Sequence, residues 1–377
     1  MRRDVRNICC VAACVLASCL LPGDFCHASE EFLVASGVRE FHFPNDHADH
    51  PGFQTEWWYY IGNLVGGDKR AFGFQLTFFR IQIKPEEVPT GSPWRSNQLY
   101  FAHFTVSDMK NRRFMMAEKA GRGTLGISGV ALDSDRIHVF LHSWEAVIQG
   151  NVHHLRAGGD DFSIDLELVS EKPPILHGEK GLSRKGAGEG QASYYYSLTR
   201  LRSHGVLKLG NNRFQVSGLS WMDHEFSSSA LSEDQTGWDW MGLQLSNNQE
   251  LMIYVLRHQD GSTDPFSSGT LIKSDGTSAH LPKEAFSIKP TDSWTSEKSG
   301  ATYPSGWQVE VFPRDMNLSV RPRLRDQELI TDQSTKVTYW EGSVQVDGTA
   351  AGGRVAGSGY AELTGYAGQF KLGSQEP

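Results

Sequence analysis

From Phe41 onward, apolar and polar residues alternate with a period of two in short runs, and clusters of Gly, Asn, Asp and Pro interrupt the runs. Alternate side chains of an extended strand point to opposite faces, so the pattern confines the chain to β-structure. No window of twelve or more residues repeats apolar side chains at i, i+3, i+4, i+7, which argues against long helices and a βαβ fold. Predicted strands in the first half are Trp57–Leu64, Arg70–Ile83, Gln98–Ser107, Arg136–Ser143, Phe162–Val169, Ser193–Leu201, Val206–Leu209 and Phe214–Leu219. The second half supplies Trp238–Leu245, Glu250–Arg257, Gly269–Lys273, Trp307–Phe312, Leu318–Pro322, Thr335–Val346 and Val355–Leu363. Turn signals such as Gly210-Asn211-Asn212 and Asp347-Gly348 separate them. Lys172–Gln191 carries too many Gly and Pro residues for a strand and reads as a long loop.

At 377 residues the chain exceeds one ordinary core. The division falls near Phe226–Thr236, where Ser227-Ser228-Ser229 separates two aromatic strand regions. The expected domains are 29–229 and 230–377, each with enough short strands to close a small antiparallel barrel. Residues 1–28 read as an export signal: Arg2, Arg3 and Arg6 precede an apolar stretch, Ile8 to Leu21, too short to span a bilayer. Cys26-His27-Ala28 offers a cleavage site before Ser29, and Leu16-Ala17-Ser18-Cys19 offers a lipoprotein box. The expected location is periplasmic or secreted, or, if Cys19 is acylated, tethered as an envelope lipoprotein. All five cysteines lie between Cys9 and Cys26, so the processed chain would have no disulfide and no thiolate chemistry. The net charge of −8 comes without any basic stripe, and no nucleic-acid partner is expected.

Three aromatic clusters carry the candidate chemistry. In Thr55-Glu56-Trp57-Trp58-Tyr59-Tyr60-Ile61, Glu56, Trp58 and Tyr60 share one strand face and Trp57, Tyr59 and Ile61 the other. The Glu56–Trp58–Tyr60 face is expected to bind ligand and to meet the Trp238–Trp240 face at the domain junction. An ion pair of Glu56 with Arg80 or Arg257 is the alternative for its carboxylate. In Trp221-Met222-Asp223-His224-Glu225, at an apparent strand end, Asp223 and Glu225 share a face and His224 points away. These residues could transfer protons or could form a salt-bridge network. In Trp238-Asp239-Trp240-Met241, Asp239 lies on the apolar face of Met241 and Leu243. It is either a satisfied buried carboxylate or an acid raised in pKa by desolvation, with Tyr254 and Arg257 nearby on the hairpin partner. Asp46-His47-Ala48-Asp49-His50 has metal-like spacing but no third ligand in view, and no metal is expected. His103 reads as a core histidine. No G-x-S-x-G, H-E-x-x-H, P-loop or strand-linked G-x-G-x-x-G occurs.

Phe43-Pro44-Asn45-Asp46-His47 followed by Thr55-Glu56-Trp57-Trp58-Tyr59-Tyr60 resembles the opening of the carotenoid 1,2-hydratase (hydroxyneurosporene synthase) and AttH-like superfamily. Ser220–Glu225, Trp238–Gly242, Tyr339-Trp340-Glu341-Gly342 and the tail Gly357–Tyr366 agree in the same order. The resemblance implies two tandem lipocalin-like antiparallel β-barrels with ligand space in or between them. The superfamily includes hydratases of terminal alkenes in acyclic carotenoids, bacterial proteins of unassigned activity and fungal pericyclases.

Two functions follow as expectations. One is acid-catalysed hydration of an isoprenoid, lipid or polyketide-like alkene without a cofactor, as in a hydro-lyase. There, Asp239 or Asp223 protonates the double bond and His224 or Glu225 positions water. Trp221, Trp238, Trp240 and Tyr254 form the wall, since aromatic faces stabilise a cation. The other is a non-catalytic carrier of a hydrophobic small molecule, for which the discriminator is a carboxylate facing an apolar cavity.

Overall fold

The computed structural model describes residues 31–85, 95–229 and 231–368, so the export signal and both processing sites lie outside the described residues. The first sheet contains β1 (Thr55–Gly66), β2 (Ala71–Gln82), β3 (Gln98–Asp108), β4 (Arg113–Arg122), β5 (Ser128–Asp133), β6 (Arg136–Leu141) and β7 (Trp144–Gln149). It continues with β8 (Val152–Gly158), β9 (Phe162–Ser170), β10 (Ile175–Leu176), β11 (Leu182–Arg184), β12 (Ala192–Leu209) and β13 (Asn212–Ser227). Its order is β4-β3-β2-β1-β13-β12-β9-β8-β7-β6-β5, with β10 and β11 added to β12. β6 packs back on β2, β3 and β4, which curls the sheet into a nearly closed barrel.

The second sheet holds β14 (Gln235–Leu245), β15 (Glu250–His258), β16 (Ser268–Ile272), β17 (Ser278–Pro282) and β18 (Phe286–Pro290). A separate ribbon pairs β19 (Ser293–Thr295) with β20 (Thr302–Pro304), and the sheet resumes with β21 (Trp307–Val311) and β22 (Met316–Pro322). It ends with β23 (Glu328–Ile330), β24 (Thr338–Ala350) and β25 (Gly353–Leu363). The order is β17-β16-β15-β14-β25-β24-β22-β21-β18, with β23 added to β24. A single 3-10 turn, Lys283–Ala285, touches both edge strands β17 and β18. All pairings are antiparallel, and the whole is two lipocalin-like barrels in tandem.

Alternation decides what each face meets. Trp58, Tyr60, Phe72, Phe74, Leu76 and Phe78 point into the first barrel and fill it with Phe104, Val139 and Leu166. Met241, Leu243, Ile253, Trp307, Trp340 and Ala361 fill the second. Burying each large side chain contributes about 1.5–3 kcal/mol. Both interiors are thus packed cores, and the opposite faces of β1, β12 and β13 turn toward those of β14, β15 and β25. There Tyr59, Ile61, Tyr195, Trp221, Trp240, Met252, Tyr254 and Tyr360 form a third apolar cluster between the barrels.

Polar links hold this junction. Glu250 is buried between Lys172 (Nζ–Oε2 2.7 Å) and Arg200 (Nε–Oε1 2.5 Å). Gln244 Nε2 donates to the carbonyls of Thr199 and Ser220 at 2.8 and 2.9 Å.

Three local expectations are corrected. β13 does not stop near Leu219: it is paired on both sides as far as Phe226 and with β1 as far as Ser227, so Asp223, His224 and Glu225 sit within a strand rather than at its end. β12 is one strand where two are predicted, with a register shift between Leu198 and Leu201 in place of a break. Lys172–Gln191 holds β10 and β11, because Gly178 and Gly181 adopt left-handed conformations (φ 63° and 97°) that fold the chain back onto β12. A Cβ at Gly178 would stand 2.2 Å from the Leu182 carbonyl oxygen, so only glycine fits.

Candidate active site between the barrels

A cavity of about 500 Å³ lies between the outer faces of the two sheets. Trp57 and Tyr59 of β1, Phe79 of β2 and Tyr195 of β12 form one wall; Trp238 and Trp240 of β14, Tyr254 of β15 and Tyr339 of β24 form the other. An aromatic-lined space of this size takes a drug-sized hydrophobic molecule. Five carboxyl side chains line it: Asp223 and Glu225 from β13, Glu233 just before β14, Glu341 from β24 and Glu362 from β25. Lys185, just past β11, enters as well.

Asp223 is 4% exposed and collects three donors. Tyr195 Oη donates to Oδ2 at 2.6 Å, and Trp221 Nε1 and Ser197 Oγ donate to Oδ1, the former at 2.5 Å. Trp240 Nε1 donates in turn to Tyr195 Oη at 3.0 Å, and Ser197 Oγ is bonded to His177 Nε2 at 2.5 Å. Burial raises the Asp223 carboxyl to about 7, against the pull of those three donors. It therefore exchanges a proton readily near neutral pH, the property a general acid or base needs.

Glu225 accepts from Ser193 Oγ and pairs with Lys185 Nζ at 3.2 Å. Burial works against the Lys185 charge, but Glu225 and Tyr254 hold its pKa above the ordinary value. Its ammonium lies 4.0 Å from the centre of the Tyr254 ring. Glu362 accepts from Trp238 Nε1 at 3.2 Å, and its residual exposure is to the cavity. Burial, reinforced by Asp223 and Glu225, lifts its carboxyl to about 7. Burial and the neighbouring Glu362 push Glu341 well above the usual carboxylate range.

The residues singled out in the sequence divide between this cavity and the barrel cores. Asp223, Glu225, Trp238, Trp240 and Tyr254 line it, and Trp221 stands behind Asp223. Asp239 faces the second core, where Arg257 Nε bonds Oδ1 at 2.9 Å and Tyr366 Oη donates to both oxygens at 3.0 and 3.1 Å. It is a satisfied carboxylate, and burial still raises its pKa above the ordinary value against the pull of Arg257 and Tyr366, so both alternatives left open for it hold, away from the cavity. Glu56, Trp58 and Tyr60 point into the first barrel, so they do not meet Trp238 and Trp240; Trp57 and Tyr59 do, because the cavity-facing side of β1 is the other one.

Glu56 pairs with Arg80 Nε at 2.8 Å, and His224 Nε2 is bonded to Glu56 Oε1 at 2.7 Å on the core side of β13. His50 bridges Glu56 Oε1 (2.7 Å) and Asp46 Oδ1 (2.9 Å) through its two ring nitrogens. Burial disfavours its charge, yet Glu56 and Asp46 raise its pKa. Ligand atoms of His50, Glu56 and His224 lie within 4.8 Å of one another, but their hydrogen bonds are mutually satisfied and Arg80 already neutralises Glu56. His103, with Nδ1 2.8 Å from Tyr339 Oη, lies at the cavity edge and links the barrels.

The AttH-like family profile matches residues 34–366. The chain belongs to the AttH-like family. The AttH-like protein shares 31% identity with a candidate AttH from Nitrosomonas europaea, whose crystal structure superposes with a TM-score of 0.79 over 89% of this chain and 100% of that one. Kievitone hydratase from Nectria haematococca shares the fold, with a TM-score of 0.63 and 13% identity over 90% of this chain and 97% of its own. The sequence is 23% identical to dehydratase asqC of Emericella nidulans over 53% of this chain. That match spans 58% of the length of this curated relative.

Glu341, Glu362, Lys185, Tyr195 and Tyr59 also line the cavity, and none of them stands out as a site residue in the sequence. Glu341 and Glu362 sit inside the recognised Tyr339–Gly342 and Gly357–Tyr366 pieces, where two carboxyls among apolar neighbours were the available signal. Lys185 lies in the segment taken for a loop, and nothing local points to the cavity it reaches.

Proposed function

We propose that the AttH-like protein adds water to, or removes it from, a hydrophobic small molecule held between its barrels. The observation that carries this reading is a near-neutral carboxyl, Asp223, in an aromatic cavity beside a Lys185–Glu225 ion pair. In the hydration direction a proton adds to one alkene carbon, using the π electrons for the new C–H bond. Water oxygen then bonds the other carbon and its surplus proton passes to Asp223. Dehydration runs the same steps backward, with Asp223 returning the proton to the departing hydroxyl. The net change is one water, with nothing oxidised or reduced. Trp57, Trp238 and Trp240 offer π faces to the cation between the two steps, and Glu225, held by Lys185, orients the water. The hydratase and dehydratase names of its relatives support this reading.

Export by residues 1–28, with the mature chain starting at Ser29, belongs to the same proposal. The intact mass of the exported form tests it, and a lipidated species beginning at Cys19 would contradict it.

A carrier would use the same aromatic walls without needing Asp223. Asp223→Asn separates the two readings on a substrate identified by native mass spectrometry of the protein from its host. Binding should stay near the wild-type value while turnover falls about 100- to 10,000-fold, the usual loss for a general acid or base. Unchanged turnover would overturn the catalytic reading.

A further inference from the structure

The water-transfer chemistry above needs a second proton-transfer group, one that serves carbon rather than oxygen. Asp223 suits the oxygen: three donors already point at it, and a carboxyl surrounded by donors is a poor place to keep a proton aimed at substrate. The opposite wall carries the complement. Glu341 and Glu362 are direct partners in the register of β24 and β25. Directly opposed residues hold their Cβ atoms about 4.5–5.5 Å apart on the same face, and that face is the cavity wall.

One donor, Trp238 Nε1, serves Glu362. Glu341 is 1% exposed, and the hydroxyl of Tyr59 is the donor that faces its carboxyl, at a geometry looser than an ordinary hydrogen bond. Buried side-chain oxygens left over in a purely structural cluster are rare. Here an acceptor and a donor, both in the cavity lining, hold each other only loosely and are free to turn to a molecule that enters it.

We propose that Glu341 and Glu362 act as one proton-sharing carboxyl pair that delivers the proton to the carbon of the bound alkene. The assignment rests on the water-transfer reading. Two carboxylates so close cannot both ionise cheaply, so one proton stays between them near neutral pH. The charged groups acting most strongly on the pair are carboxyls, Asp223 and Glu225 of β13; Tyr59 of β1 and Trp238 of β14 oppose the rise. In the step itself the pair's O–H bond breaks toward its oxygen, and the alkene π electrons form the C–H bond. The pair is left doubly negative facing the carbocation. Water closes the cation and gives its proton to Asp223, and solvent exchange returns a proton to the pair.

Infrared titration of the whole protein reads the shared proton without any substrate. Wild type should show a protonated-carboxyl C=O band persisting through neutral pH. In Glu362→Gln the remaining Glu341 loses its like-charged neighbour, and its titration should move down by at least about one unit, a tenfold change in proton affinity. Glu341→Gln should do the same to Glu362. Glu362→Asp, which shortens one arm while keeping both charges, serves if a Gln variant does not fold and should shift the titration in the same direction. The alkaline limb of the kcat profile should move with the infrared titration.

Titration midpoints left in place by all three variants would overturn the pairing, and a shifted titration with an unmoved kcat profile would overturn its role as donor. Failure of the water-transfer reading looks different: wild type itself turns nothing over while its carboxyls still titrate as a pair.

Discussion

Neighbouring residues on one strand have opposite fates here, and the pleat alone decides them. Asp223 and His224 are adjacent, yet Asp223 meets the cavity while His224 is locked to Glu56 and Tyr196 inside the first barrel. Asp239 sits between Trp238 and Trp240, both cavity residues, and itself faces the second core. That alternation was legible in the sequence: the faces of β13 and β14 are as read there. Which face meets the cavity was not legible, because each carries enough aromatic bulk to be core. Asp239→Asn should therefore strand Arg257 and cost about 3 kcal/mol, the lower end for a broken buried pair since Arg257 keeps some solvent contact, with turnover intact. Denaturation beside a rate assay checks both halves.

Asp223→Asn should do the reverse. The folded protein holds the Asp223 proton up to about pH 7, whereas the unfolded chain releases it near pH 4. Its contribution to stability is thus fully present below about pH 4 and is lost as pH rises toward 7. Removing the titration should make the variant a few kcal/mol more stable than wild type at pH 8, at about 1.4 kcal/mol per pKa unit. Little or no such gain should remain at pH 4. Denaturant midpoints at the two pH values measure the difference.

Among the strands, most of the long alternating ones are predicted, whereas β4, β5, β7, β8, β17 and β18 are not, even though burial alternates cleanly along β8. β4, with the sequence Arg113-Phe-Met-Met-Ala-Glu-Lys-Ala-Gly-Arg122, is half exposed along its length and has no clean period. β10 and β11 exist because β12 offers them an edge to pair with, a tertiary cause invisible in a Gly-rich segment. Yet this segment, with the residues just before it, fastens the barrels together: Lys172 reaches Glu250, His177 Nδ1 is bonded to Thr270 Oγ1 at 2.9 Å, and Lys185 reaches the site. Glu250→Gln would leave Lys172 and Arg200 buried around a neutral side chain. A loss of about 3–5 kcal/mol in unfolding free energy is expected, and a change below about 1 kcal/mol would mean that the junction does not depend on the triad.

At the scale of the whole molecule, the tandem barrels were legible and the use of the space between them was not. Strand count and turn spacing point to barrels, and barrels suggest ligands inside. Here Trp58, Phe74 and Phe104 fill one interior and Trp307, Trp340 and Leu318 the other, so the aromatic faces left outside build the cavity jointly. Asp223 comes from one barrel and Glu362 from the other, so the proposed chemistry requires both at once. The most direct test is a single-turnover reaction in water enriched in heavy oxygen, using a hydrophobic substrate identified by native mass spectrometry of the protein from its host. Hydration predicts a product heavier by one labelled water; in the dehydration direction, the alkene forms with loss of one water, and the alcohol re-formed by the reverse reaction carries the label in its hydroxyl. Both outcomes should vanish in Asp223→Asn. Recovery of the compound unchanged and unlabelled from the wild-type protein would contradict the account.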